Sequence, residues 1–293
     1  MNPPPFFPNF TAFRITTSGA SINGVIGGSG PPVLLLQGWP QTHIEWRLVA
    51  PQLAQHFTVV ATDLRGYGDS SKPPDGDNHA NYSKRAMAQD QIEVMQQLGF
   101  RRFAVVGHDR GGRVAHRLAL DHAAAITRVA LLDIVPTHTI YTTVSKRLAT
   151  FYFHWFFLIQ PAPLPETLLA GNPEFFLRSF PFRNLIPGVI PENVFAEYLR
   201  CFGDPATLHA MCEDYRAAAG VDLEHDQSDL VRKIDCPALV LWGERGAMHL
   251  LYDVASTWRE RATRIHARAL PAGHWLPEEC SDELSAALIE FLS

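Results

Sequence analysis

Four short apolar runs, Val33 to Leu36, Thr58 to Thr62, Phe103 to Val106 and Val129 to Leu132, punctuate the first half of the chain. None alternates with polar residues, the pattern expected of parallel strands buried on both faces. Helix-period segments over about 44–55, 83–98 and 110–121 separate them. Alternation of this kind predicts right-handed β-α-β crossovers and a mostly parallel, doubly wound sheet. Ahead of it, residues 11–27 alternate and turn at Ser18-Gly19-Ala20, which predicts an antiparallel hairpin. After Pro136 the pattern changes: residues 137–234 are rich in Phe, Tyr, Trp and Pro, with helical periodicity and no clear strand. Strand-like sequence resumes at Pro237 to Trp242, then a helix near 250–261, a strand near 263–269 and a last helix near 278–292. The expected organisation is an α/β core formed by 1–136 and 235–293, interrupted by a helical cap over 137–234.

Composition narrows the function. The 293 residues suffice for one large α/β domain, and a hydrophobic share of 46% argues for a folded chain. A net charge of −5 excludes a general polyanion-binding face, so no nucleic acid is expected. A small anion would have to be attracted by a few placed arginines. Cys201, Cys212, Cys236 and Cys280 show no Cys-x-x-Cys spacing and read as free thiols in a reducing, cytoplasmic setting. Met1 to Phe10 lacks the basic start and apolar core of a signal peptide, and Phe151 to Ile159, broken by His154, is too short to span a membrane.

The chemistry centres on Val105-Val106-Gly107-His108-Asp109-Arg110-Gly111-Gly112-Arg113. An apolar strand enters Gly-x-Asp-x-Gly and a helix-forming stretch follows, the layout of a nucleophile elbow. Serine is the usual occupant; here it is Asp109. An alkylated serine would be a stable ether, whereas an alkylated carboxylate is an ester that water cleaves. Asp109 therefore points to displacement at an sp3 carbon, and the neighbouring Arg110 and Arg113 to an anionic substrate. The candidate base is His274, in a loop between the last strand and last helix, at the sheet edge where ligands bind. For the acid that orients it, Asp133 ends the strand Val129 to Leu132; Glu244 and Asp253, after the later strand, are less well placed. Oxyanion donors would be the backbone N–H groups of Arg110 and Trp39, since Pro40 has none. The glycines near Asp109 shape a turn and form no phosphate-binding loop, so neither metal nor organic cofactor is expected. Asp63 to Ser70 reads as a structural loop near the elbow.

Several of these motifs together resemble the α/β-hydrolases of the haloacetate (fluoroacetate) dehalogenase type. They are Gly38-Trp39-Pro40-Gln41-Thr42-His43, the Asp109-Arg110-Gly111-Gly112-Arg113 signature, Leu132-Asp133-Ile134, His154-Trp155 and Gly273-His274. Related epoxide hydrolases and haloalkane dehalogenases typically carry an aromatic residue after the nucleophile, which makes Arg110 the discriminating position. The resemblance implies Asp109 as nucleophile, His274 as base and Asp133 as acid. It implies Arg110 and Arg113 as holders of the substrate carboxylate, and His154, Trp155 and Tyr215 as donors to the leaving halide. Without it, His154 and Trp155 read as aromatic core of the cap. It also implies hydrolysis of short 2-haloacids to 2-hydroxy acids, and a homodimer. Gln37 and Gly112 depart from common family residues without touching a proposed chemical group. Tyr152, as a second cap tyrosine beside Tyr215, keeps open an epoxide-hydrolase alternative; a non-catalytic small-acid binder is the alternative from another class.

Overall fold

The computed structural model describes residues 6–183 and 185–293, so the first five residues of the proline- and phenylalanine-rich N-terminal stretch lie outside the described residues. Eight strands form one sheet: β1 Phe10–Thr16, β2 Ser21–Gly28, β3 Pro32–Leu36, β4 Thr58–Thr62, β5 Phe103–His108, β6 Ile126–Leu132, β7 Ala238–Gly243 and β8 Ile265–Leu270. Their spatial order is β1-β2-β4-β3-β5-β6-β7-β8. The predicted hairpin is present as β1 and β2, paired from Phe10–Gly27 to Thr16–Ser21, and β2 is also antiparallel to β4. All remaining pairs are parallel. Chain order reverses at β3, which has β4 on one side and β5 on the other. That switch point opens a crevice at the carboxyl ends of β3 and β5, where ligands bind in open α/β sheets.

Five helices matter for the site: α1 Lys84–Gln97, α2 Asp109–Asp121, α3 Phe153–Leu158, α4 Pro205–Ala219 and α5 Ser281–Leu292. Ser83 caps α1 by accepting the Ala86 N–H, and Asp204 caps α4 by accepting that of Thr207. Every residue of β5 is buried, and α2 packs on β3, β5 and β6. From 137 to 228 the described residues between β6 and β7 form helices, α3 and α4 among them, and no strand.

Three predicted helices are shorter than their periodicity implied. The segment 44–55 divides into a 3-10 turn, His43–Arg47, and a helical turn, Ala50–Leu53. Pro51 cannot donate to residue 47 and its ring crowds that carbonyl, so no continuous helix forms. The segment 250–261 divides into Ala247–Leu251 and Val254–Arg259, because the Asp253 carboxylate accepts the Ser256 N–H and starts a new helix. The last segment divides at Cys280 into Leu276–Glu279 and α5.

Candidate active site

Glycines make the elbow at the end of β5 possible. A Cβ on Gly107 would lie 2.3 Å from the Gly111 carbonyl oxygen, and one on Gly111 would lie 2.3 Å from that of Leu36. With no side chain at either position, the first turn of α2 closes onto the ends of β3 and β5, and the Gly111 N–H donates to the Gln37 carbonyl at 2.9 Å. Asp109 sits at the apex with φ of +43°. A non-glycine residue in this left-handed region costs on the order of 1 kcal/mol, so the surrounding packing must hold it there.

The two oxygens of Asp109 differ. Oδ1 accepts the backbone N–H of Trp39 at 3.1 Å. Oδ2 lies 4.0 Å from Nε2 of His274. The predicted oxyanion loop and base thus address different oxygens of the same carboxylate. Burial works to raise the Asp109 pKa, but His274, Arg113 and Arg110 outweigh it and hold the carboxyl below its ordinary value, ionised at neutral pH.

His274 is fixed through its other nitrogen, Nδ1, which meets Oδ2 of Asp133 at 2.5 Å. Oδ1 of Asp133 accepts the Gly243 N–H at 3.0 Å. Of the rival acids, Glu244 is about half exposed and faces Arg245, and Asp253 is a helix cap. A further pair, absent from the sequence reading, braces both loops. His108 points Nδ1 at Glu45 Oε2, 3.3 Å away, and Nε2 at the His274 carbonyl oxygen, 2.8 Å away. Donation from both nitrogens requires an imidazolium. Burial would lower the His108 pKa, but Glu45 overrides it and pushes it up to about 9. The same Glu45 oxygen accepts the Gly38 N–H, tying the Gly38–Trp39 loop to the loop carrying His274.

Around Asp109 lies a compact set of polar atoms in aromatic surroundings. The Trp39 and His154 rings stack at 5.0 Å, and both meet Tyr215 at 5.8 Å. Trp155 packs edge-on against Tyr215 at 5.9 Å. The Arg110 guanidinium lies 4.2 Å from the Tyr215 ring centre, and that of Arg113 lies 4.5 Å from Trp155. Every residue predicted for substrate binding is buried in this cluster. Six of their buried polar atoms have no hydrogen-bond partner among the described residues: Trp39 Nε1, Arg110 Nη1, Arg113 Nε, His154 Nδ1, Trp155 Nε1 and the Tyr215 hydroxyl. Burial lowers the His154 pKa to about 3, leaving a neutral imidazole, and raises that of Tyr215 well above the ordinary phenol value. Tyr152 also lies here, 5.4 Å ring to ring from His154, its phenol raised by burial too. A cavity of about 380 Å³ reaches the site and is bounded by Trp39, Asp109, Tyr152, His154, His274 and Trp275, among others. No helix among the described residues is long and apolar enough to cross a membrane.

An elbow at the switch point, an acid at the end of the next strand and a histidine after the last strand define an α/β hydrolase. The family model for the alpha/beta hydrolase fold matches residues 31–279, and the chain belongs to that family. Within it the resemblance to the haloacetate dehalogenase type holds: the chain is 45% identical over 290 residues to fluoroacetate dehalogenase from Burkholderia sp., spanning 98% of this chain and 95% of that protein. It is also 35% identical over 276 residues to soluble epoxide hydrolase from Corynebacterium sp. (strain C12), spanning 91% and 93% of the two chains. Among solved structures, ALR0039 from Nostoc sp PCC 7120, described as an α/β hydrolase, superimposes with a TM-score of 0.95 at 56% identity, covering 97% of this chain and 98% of its own. The chain is a hydrolase.

Proposed function

We propose that this hydrolase cleaves the carbon–halogen bond of short 2-haloacids, haloacetates in the first instance, and releases the 2-hydroxy acid. The observation that carries this reading is the set of buried, unpartnered donors gathered beside an ionised carboxylate nucleophile. Leaving such groups unsatisfied costs about 1–3 kcal/mol each, more when charged, so the site is matched to a ligand that accepts several hydrogen bonds. A haloacid offers two such acceptors, a carboxylate and, as the bond breaks, a halide.

Asp109 Oδ2 attacks the halogen-bearing carbon from the side opposite the halogen. A carbon–oxygen bond forms, and the halide departs with the bonding electrons. Arg110 Nη1 and Arg113 Nε hold the substrate carboxylate. Arg113 is the more telling of the two, because its hydrogen bonds within the protein go to the Val135 carbonyl and the Thr137 hydroxyl rather than to a carboxylate. His154, Trp155 and Tyr215 donate to the halide. His154 is neutral, so it stabilises the leaving charge by donation and not as an imidazolium.

Water then attacks Cγ of the Asp109 ester, and His274 Nε2 takes its proton. The Trp39 N–H, already on Oδ1, stabilises the tetrahedral oxyanion together with the Arg110 N–H. As the intermediate collapses, the bond from Cγ to the alkyl-bearing oxygen breaks and the proton returns from His274 to the departing hydroxy acid. The second water proton, left on the Asp109 carboxyl, is released to solvent as that group ionises. Asp133 keeps the His274 tautomer and orientation constant throughout. The segment 137–234, whose described residues form helices from 137 to 228, acts as a cap that supplies the halide donors.

A second reading, epoxide hydrolysis, is favoured by Tyr152 and Tyr215, two buried phenols flanking His154 that could protonate an opening ring. Halide release from fluoroacetate and chloroacetate, measured beside diol formation from styrene oxide, separates the two. Turnover of styrene oxide with none of either haloacetate would overturn the first reading.

A further inference from the structure

Arg110 does not reach the site as a free guanidinium. Its Nε donates to Asp214 Oδ2 at 2.9 Å, and its Nη2 donates to Asp214 Oδ1 at 2.7 Å and to the Asp214 carbonyl at 2.9 Å. Only Nη1 is left without a partner. Asp214, wholly buried on α4, is itself filled to capacity. Oδ1 also accepts from Lys84 at the start of α1, and Oδ2 also accepts the Tyr67 hydroxyl at 2.6 Å. Two oxygens with four acceptor positions thus take four donors. Lys84 is steadied in turn by Asp222, which accepts the Lys84 backbone N–H at 2.8 Å and faces its ammonium at 3.4 Å.

We propose that Asp214 is a positioning residue for substrate binding: it occupies two edges of Arg110 so that Nη1 alone is aimed at the substrate carboxylate, while Lys84, sharing its charge, keeps Arg110 from being neutralised. This inference rests on the anion-binding role given to Arg110 above. A guanidinium is a planar fork, and fixing two of its nitrogens fixes the direction of the third. Asp214 is followed directly by Tyr215, whose ring lies against the same guanidinium, so one turn of α4 sets both an anion-binding group and a proposed halide donor.

The competing explanation is that Asp214 merely compensates buried positive charge. The two differ in sign. Removing a compensating negative charge leaves Arg110 more positive and tightens anion binding; removing a positioning group lets Arg110 turn away and weakens it. Acetate, which cannot be turned over, is the probe, titrated calorimetrically into wild type, Asp214→Asn and Tyr67→Phe. Asp214→Asn should bind acetate at least about tenfold more weakly and raise KM for chloroacetate in parallel, with kcat changed less. Tyr67→Phe, which keeps the charge of Asp214 and removes one hydrogen bond that orients it, should weaken acetate by a smaller factor. Acetate bound as tightly or more tightly by Asp214→Asn overturns the proposal. Should that variant not fold, unchanged binding by Tyr67→Phe does the same. If no haloacetate is turned over by wild type but acetate binding follows the expected order, the functional reading fails and the positioning role stands. Wild type that binds no acetate overturns both.

Discussion

Nδ1 of His274 meets Oδ2 of Asp133 at 2.5 Å, and the backbone of Asp133 is left-handed, with φ of +49°. Asp109, at the end of the adjacent strand β5, shares that conformation. Neighbouring parallel strands therefore both lead into an aspartate with left-handed backbone, one at the elbow and the other against His274. With Nδ1 committed to Asp133, Nε2 is the nitrogen that faces Asp109.

Removal of the base should divide the reaction. In His274→Ala, displacement by Asp109 is intact while hydrolysis of the ester stops, so a carboxymethyl group accumulates on Asp109 after chloroacetate treatment. Intact-protein mass spectrometry followed by peptide mapping checks this. A folded variant that acquires no adduct contradicts the covalent route.

The acid assignment predicts an asymmetry between two variants. Asp133→Asn keeps the size of the side chain but disturbs the His274 tautomer, and should slow hydrolysis of the ester by roughly 10³–10⁴-fold. Glu244→Ala should leave it within about twofold, since Glu244 is half exposed and faces Arg245 across 3.9 Å. Single-turnover rates decide, and comparable losses in both would move the acid to the turn after β7.

Arg113 should report on substrate charge. A charge-assisted hydrogen bond contributes about 1.5–3 kcal/mol, so Arg113→Ala should lose about ten- to a hundredfold or more in kcat/KM for chloroacetate. Arg113→Lys should recover little, because a point ammonium cannot hold Val135 and Thr137 while presenting Nε to substrate. Chloroacetamide should be a poor substrate of wild type and almost insensitive to the substitution. Steady-state kinetics on the two substrates test this, and equal losses on both would make Arg113 structural.

His116, on α2 and away from the reacting groups, should shape acid stability. Burial lowers its pKa to about 3, its Nε2 has no partner, and its ring packs edge-on against Trp258 at 5.1 Å. A histidine depressed in the folded state binds its proton more readily when unfolded. Between about pH 6.5 and pH 3 it therefore makes the fold less stable as pH falls, approaching about 1.4 kcal/mol per pH unit. Urea denaturation across this range should show a shallower acid slope for His116→Leu than for wild type. Identical slopes would mean that His116 titrates alike in both states.

What could be read from the chain was what local sequence encodes. The elbow was legible because its glycines, nucleophile and flanking strand are contiguous, and Asp133 because it closes an apolar run. His274 needed one topological step, from last strand to ligand edge. Pro51 and Asp253 already carried the signals that interrupt two predicted helices, but apolar periodicity outweighed them. The supports of the site were not legible. Asp214 meets Arg110 across 104 residues and Glu45 meets His108 across 63, pairs between ordinary charged residues that mark no motif. Only the folded chain brings them together.

Because the carboxylate that meets His274 comes from the end of β6, the turn that follows β7 is left without that task. Gly243 is pressed so closely to the base loop that a Cβ there would collide with the Gly273 carbonyl, which pins the start of the turn. Beyond it, Arg245, Gly246 and Ala247 line the wall of the cavity. The turn after β7 thus bounds the cavity without carrying the carboxylate that meets His274. Changes to the Arg245 and Ala247 side chains can therefore alter the cavity wall while the aspartate–histidine pair stays as it is.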